Sequence, residues 1–380
     1  MKLKILCKFA NDKKNRKIML NKVEPKAKSR LVGVKSRLQS GKNLSKIIIT
    51  LILVSVFVAG HSQTAEEYYY RGNAKYELGD YTGAIQDFNK TIQINPDYAE
   101  VYNNRGVAKG GLGDYTGAIQ DYNKAIEINP DDSDVYYNRG IVKYNLGDYT
   151  GAIQDFNKAI QINPDYAEVY NNRSVTKNNL GDYTGAIQGY NKAIGINPDD
   201  ADVYYNRGIA KYNLGDYTRA IQDFNKAIQL NPDDAKAYYN RGCTKDYISD
   251  YTGAIQDYNK AIEINPDYAE AYYNRGIAKY NLGDYTGAIQ DFNKVIQINP
   301  DDADAYNNRG IAKSNLGDYT GAIQDFNRAI QLNPDYVNAY YNRGVAKGEL
   351  GDINGACLDW SKAGELGYSA AYDLIKKYCK

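Results

Sequence analysis

The chain has 380 residues and a formal net charge of +1, a balance that hides an asymmetry. Met1 to Lys46 carries 15 Lys/Arg against 2 Asp/Glu, which leaves 32 against 44 for the remainder. That acidic remainder has no basic face for phosphate, which argues against nucleic-acid binding there. The single histidine is His61, so residues 63–380 contain no imidazole for acid–base or zinc chemistry. Carboxylates recur at every period and converge nowhere, so no catalytic residue, metal or cofactor is expected.

Residues 1–62 form a basic lead followed by a 13-residue apolar core at 47–59 (IIITLILVSVFVA) and small residues at Gly60 and Ser62. A basic end, a short apolar core and small residues at the cut predict a secretory signal cleaved before Gln63. An N-terminal membrane anchor is the alternative, although a spanning helix needs about 20 apolar residues. Lysine and arginine on the N-terminal flank hold that end in the cytoplasm either way. The rest of the chain is therefore expected outside the cytoplasm: periplasmic or secreted, or tethered to the inner membrane by residues 47–59. A 46-residue lead is long for a signal, and a translation start near Leu44 would leave a compact one.

Proline recurs at 96, 130, 164, 198, 232, 266, 300 and 334, always 34 residues apart. A fixed period of that length predicts stacked helical hairpins, each leaving an apolar face that only its neighbour covers. Repeats begin near 65, 99, 133, 167, 201, 235, 269, 303 and 337, giving one all-α solenoid of antiparallel helix pairs over 63–368. Residues 133–166 show the design. Helix A spans 133–146, with Tyr136, Gly140 and Leu146 on its apolar side. Helix B spans 149–162, with Tyr149, Ala152, Ile153, Phe156, Ala159 and Ile160 at spacings of three and four. Gly147 suits a left-handed helix end, Asp148 caps helix B, and Gly151 rules out a capping box. Asn163 and Pro164 stop helix B, and Asp165 is expected to help start the next helix.

Arginine recurs in helix A and aspartate before the helix B aromatic, as in Arg139 with Asp155, Arg207 with Asp223 and Arg275 with Asp291. They read as a ladder of ion pairs between helices or as a ligand-facing arginine row. Repeat four carries Gly189 in place of Asp, so a ladder leaves Arg173 without its carboxylate.

With Tyr136, Gly140, Ala152, Phe156 and Pro164 in register, the chain resembles the tetratricopeptide repeat family, through nine repeats from residue 65 to about 368. The resemblance implies a right-handed superhelix whose concave side, lined by helix A, holds peptides or partner proteins. Arginine stands where the family usually has leucine. The family's carboxylate clamp is absent from every repeat, so chaperone-type acidic C-terminal peptides are not the implied ligand.

By that resemblance the groove residues are Asn104, Asn138, Asn172, Asn206, Asn240, Asn274, Asn308 and Asn342. A second row, Tyr76, Tyr144, Tyr212 and Tyr280, alternates with Gly110, Asn178, Asp246 and Ser314. Tyrosine and asparagine suit extended peptides, or glycans in a cell-wall binding module; half-burial of Tyr between helices with solvated Asn is the other reading. The partner implied is a protein or peptide, with self-association open and membrane involvement only through an uncleaved N-terminal segment.

Cys243 replaces the Ile or Val of other copies and reads as a small groove-side residue. Trp360 takes the aromatic place in repeat nine, and Gly367 and Tyr368 replace Asn and Pro. Residues 369–380, with Ala371, Leu374, Ile375 and Tyr378 on one face, predict a C-terminal capping helix. An oxidising compartment would let Cys357 pair with Cys379.

Overall fold

The structure, a computed structural model, describes residues 64–379. The basic lead, the apolar core, the cleavage site, His61 and Cys7 lie outside the described residues. Those described form helices joined by short turns, with no strand among them.

The A helices are α1 (Ala65–Glu77), α3 (Ala99–Gly111), α5 (Ser133–Leu146), α7 (Ala167–Asn179), α9 (Ala201–Asn213), α11 (Ala235–Tyr247), α13 (Ala269–Asn281), α15 (Ala303–Asn315) and α17 (Val337–Glu349). The B helices are α2 (Tyr81–Ile94), α4 (Tyr115–Ile128), α6 (Tyr149–Ile162), α8 (Tyr183–Ile196), α10 (Tyr217–Leu230), α12 (Tyr251–Ile264), α14 (Tyr285–Ile298), α16 (Tyr319–Leu332) and α18 (Ile353–Glu365), and α19 (Ala370–Tyr378) follows. The chain divides into two compact units at Asp199/Asp200, between repeats four and five. Within each unit an A helix packs on the B helix after it, and that B helix packs on the next A helix.

One repeat explains the rest. In α6, Ala152, Phe156 and Ala159 are wholly buried, with Tyr149, Ile153 and Ile160 at the margin, as the spacing of three and four requires. Gly140 of α5 lies so close to this stripe that a Cβ there would come within 2.7 Å of the Phe156 ring. Glycine is what lets the two backbones approach. Gly147 ends α5 with φ of 84°, and the Asp148 carboxylate accepts the Gly151 amide at 2.9 Å to open α6.

Two local expectations are corrected. Leu146 is about half exposed, because at the last residue of α5 it lies over the turn and points past the core. Asp165 does not cap α7, whose N-cap is Tyr166 with no side-chain cap. The Asp165 amide donates to the Asn163 side chain instead, an Asx turn that uses up the loop's local bonding. Where a second Asp follows, as at Asp132 and Asp200, that second residue is the cap.

In the unit from Asp200 onward, repeat six breaks the turn pattern. Ser249 stands where other repeats have glycine and holds φ of 66°, the one positive φ outside glycine among the described residues. At the C-terminal end, Trp360 and Ala371 are buried, Leu374 and Ile375 pack against them, and Cys357 is joined to Cys379 by a disulfide. The helix α19 thereby covers the face that α18 would otherwise leave open.

Candidate functional site: the helix A face and the seam behind it

The arginines of helix A turn away from the A face. Arg139 grips Asp155 in a fork, Nε to Oδ2 at 2.9 Å and Nη2 to Oδ1 at 2.6 Å, and Lys143 closes on Oδ2 at 2.8 Å. Its remaining nitrogen, Nη1, donates to Asn123 of the preceding B helix at 2.6 Å. The same carboxylate grip is made by Arg207 with Asp223 and by Arg275 with Asp291, joined by Lys211 and Lys279. The lysine and the asparagine are partners that sequence reasoning missed, although both recur every 34 residues. Burial of Asp87 opposes its ionisation, yet Arg71 and Lys75 hold its carboxyl below the ordinary range. An arginine sharing its fork this way offers little to a ligand.

Repeat four differs. Gly189 removes the carboxylate, and Ser174, standing where other repeats have glycine, fills the space: a Cβ on Gly189 would lie 2.0 Å from Ser174 Oγ. Arg173 keeps its bond to Asn157 at 2.7 Å and its place over the Tyr170 ring, but its buried Nε has no partner. Desolvation pulls the guanidinium below its ordinary pKa. Lys177 turns to Asp182 at 3.2 Å.

The asparagine row is engaged inside the array. In the first unit Asn104 donates to Asn73 at 3.0 Å, Asn138 to Asn103 at 3.0 Å and Asn172 to the Tyr137 hydroxyl at 2.8 Å. In the second, Asn240, Asn274 and Asn308 donate to the hydroxyls of Tyr205, Tyr239 and Tyr273 at 2.7, 2.9 and 2.7 Å, and Asn342 to Asn307 at 3.2 Å. Asn206 is half-buried. These amides bolt neighbouring A helices together, so seven of the eight asparagines in the row have an amide hydrogen committed inside the array.

The tyrosine row behaves otherwise. Tyr76, Tyr144, Tyr212 and Tyr280 each meet the first tyrosine of their own B helix, with ring centroids 5.1–5.3 Å apart. Asn179 donates to Tyr144 and Asn315 to Tyr280. Tyr144 is buried and the other three are half-buried; desolvation pushes the Tyr76 phenol up to about 12. In even repeats the position differs each time. Gly110 leaves a cleft, and Asp246 is wholly buried with both carboxylate oxygens sealed from solvent and lacking a well-formed hydrogen bond. Burial raises the Asp246 carboxyl to about 7, with the Tyr258 hydroxyl pulling the other way. Cys243, one turn earlier, is likewise buried in the core and lines no groove.

The first turn of helix A is acidic in most repeats. Glu100 accepts the Tyr69 hydroxyl at 2.6 Å, and Asp304 accepts that of Tyr336. Burial, then the charges of Asp134 and Glu100, raise the Asp132 carboxyl; Asp304 and Glu270 act in the same way on buried Asp302. Among the described residues no group of His, Cys, Asp and Glu is arranged to hold a metal.

Comparison with known proteins agrees with this architecture. A search of curated protein sequences finds no match. The C-terminal part of a TPR repeat-containing protein from Cytophaga hutchinsonii is 22% identical, with a TM-score of 0.54 over 63% of this chain and 98% of that one. A tetratricopeptide repeat protein from Parabacteroides merdae is 23% identical, with 0.48 over 65% and 99%. YrrB, described as a TPR protein with an unusual peptide-binding site, is 26% identical, with 0.44 over 48% and 95%. Models of the TPR repeat match 72–113, 111–147, 178–215, 248–283 and 314–351, and tetratricopeptide repeat models match 133–166, 201–234 and 269–302, and also 156–188, 224–256 and 292–324. The chain, matched without a gap from 72 to 351, belongs to the tetratricopeptide repeat family, a fold of protein–protein interaction scaffolds.

Proposed function

We propose that this protein is a non-catalytic scaffold that recruits a partner polypeptide along the helix A face, outside the cytoplasm. The observation that carries the reading is the tyrosine pair at the A–B turn of every odd repeat through the seventh. Tyr76 with Tyr81 in the first unit and Tyr212 with Tyr217 in the second present half-buried rings, large planar surfaces with little entropy to lose on binding. The arginines are neutralised behind that face and the asparagines are bonded within it, so the tyrosines and first-turn carboxylates are the groups left to a partner. YrrB's description as peptide-binding is in keeping with this.

The test is photo-crosslinking in cells. p-Benzoylphenylalanine at Tyr76 and Tyr212 is expected to form polypeptide adducts, and at the exposed helix B positions Gln86 and Gln222 it is not. Adducts of equal yield from both faces, or adducts with carbohydrate only, would overturn the reading. Export is tested separately: mature protein from the cell envelope is expected to begin at Gln63, or to retain 47–59 in the membrane fraction.

A further inference from the structure

The odd-repeat tyrosines leave one gap that is itself shaped. In repeat two Gly110 and Gly111 occupy the place of Tyr and Asn in repeat three, and a cleft of about 40 Å³ opens there between Tyr76, Tyr81, Val107, Tyr122, Ile141 and Val142. A Cβ added at Gly110 would meet only Val142, at 3.8 Å, so the space is truly vacant. Asn138 supplies the polar edge, and its amide is already donated to Asn103. Water there finds few partners. The cleft accepts the tip of one aliphatic side chain.

The same helices carry a row of negative charge at their other ends. Among the first six residues of α1, α3, α5 and α7 there is no Lys or Arg, while Glu66, Glu100, Asp134 and Glu168 recur at the second position. The nearest arginines, one position further on, point into the seam. Across 64–199 there are 12 Lys/Arg against 19 Asp/Glu, so the unit as a whole is acidic as well. Asp132, half-buried beside Asp134 and Glu100, feels it directly. A cationic side chain placed here gains at several carboxylates at once.

Ten residues along a helix separate Glu100 from Gly110, about 15 Å at 1.5 Å per residue. An extended peptide covers about 15 Å in four to five residues. We infer that the first unit binds an extended peptide that sets an aliphatic side chain in the Gly110 cleft and a Lys or Arg, four to five residues away, at the Glu100–Asp134 carboxylates. This rests on the scaffold reading above and names the partner's chemistry.

The probe is a fluorescein-labelled peptide with one Lys and one Leu four residues apart in a Gly/Ser background, titrated by anisotropy into the full-length protein up to about 1 mM. Gly110→Tyr, which installs the residue of repeats one and three, is expected to weaken binding at least about tenfold, and Gly110→Ala by less. Replacing the peptide Leu by Ala is expected to cost as much in wild type and almost nothing in Gly110→Tyr. Glu100→Gln with Asp134→Asn is expected to weaken binding and flatten its salt dependence. Equal affinity for Gly110→Tyr, equal affinity for a peptide with Glu in place of Lys, or no binding up to about 1 mM would each overturn the inference. Polypeptide adducts at Tyr76 from a partner lacking this pattern would overturn it while leaving the scaffold reading in place.

Discussion

Repeats three and four lie side by side in one unit and share helix positions, the left-handed glycine and the aspartate cap. They solve the seam between A and B differently. Repeat three combines Gly140 with Asp155, and repeat four combines Ser174 with Gly189; Ser174 Oγ bonds back to the Tyr170 carbonyl at 2.7 Å. Ser174 takes up part of the space the aspartate side chain would fill, and the charge is not replaced. Packing therefore sets whether a repeat fits the array, whereas the ion pair is an addition that one repeat can lose, leaving a half-satisfied arginine behind.

The largest effect expected from breaking the comparison is at the intact seam. Asp155→Ala strips the carboxylate from Arg139 and Lys143 without the filling that Ser174 provides, and is expected to cost about 3–5 kcal/mol of unfolding free energy. Urea denaturation checks it. A loss within about 0.5 kcal/mol would show that repeat three tolerates an orphan arginine as repeat four does.

A second departure, in repeat six, sharpens the lesson that an unpaired buried charge is what hurts. Below about pH 4 Asp246 is protonated in both states. Between about 4 and 7 the unfolded chain ionises while the folded one does not, so stability falls as pH rises and levels off above about 7. Asp246→Asn is expected to remove that slope and to gain about 2–4 kcal/mol at pH 8. Melts of wild type and variant at pH 5 and pH 8 decide it, and parallel pH profiles would refute it.

The smallest and most diagnostic effect is the repair of repeat four. Gly189→Asp alone places its Cβ against Ser174 Oγ and is expected to destabilise by about 1–3 kcal/mol. With Ser174→Gly added, Arg173 regains a carboxylate, and the pair is expected to be more stable than wild type by about 1–2 kcal/mol. A double-mutant cycle with additive effects would mean the two positions do not interact.

Much of the frame was legible because its determinants are local. The bounds of α5 and α6, the turn at Gly147 and the stripe through Phe156 follow from spacing within one repeat. What was missed depends on a second helix, of the same repeat or of its neighbour. Asn172 reads as solvated or ligand-facing until α5 brings the Tyr137 hydroxyl to it, and Lys143 reads as a surface lysine until α6 presents Asp155. The burial of Cys243 has the same origin: it packs with Ala271 and Ala278 of the stacked α13.

The fork of Arg139 has a further consequence. Its carboxylate and its lysine come from its own repeat, and from the repeat before it takes only an asparagine that most copies also supply. A duplicated 34-residue segment thus brings its own carboxylate for that arginine and one standard socket for the copy that follows. Adding or removing a whole segment of the repeat-three type therefore strands no arginine, which leaves the number of copies open to change by recombination.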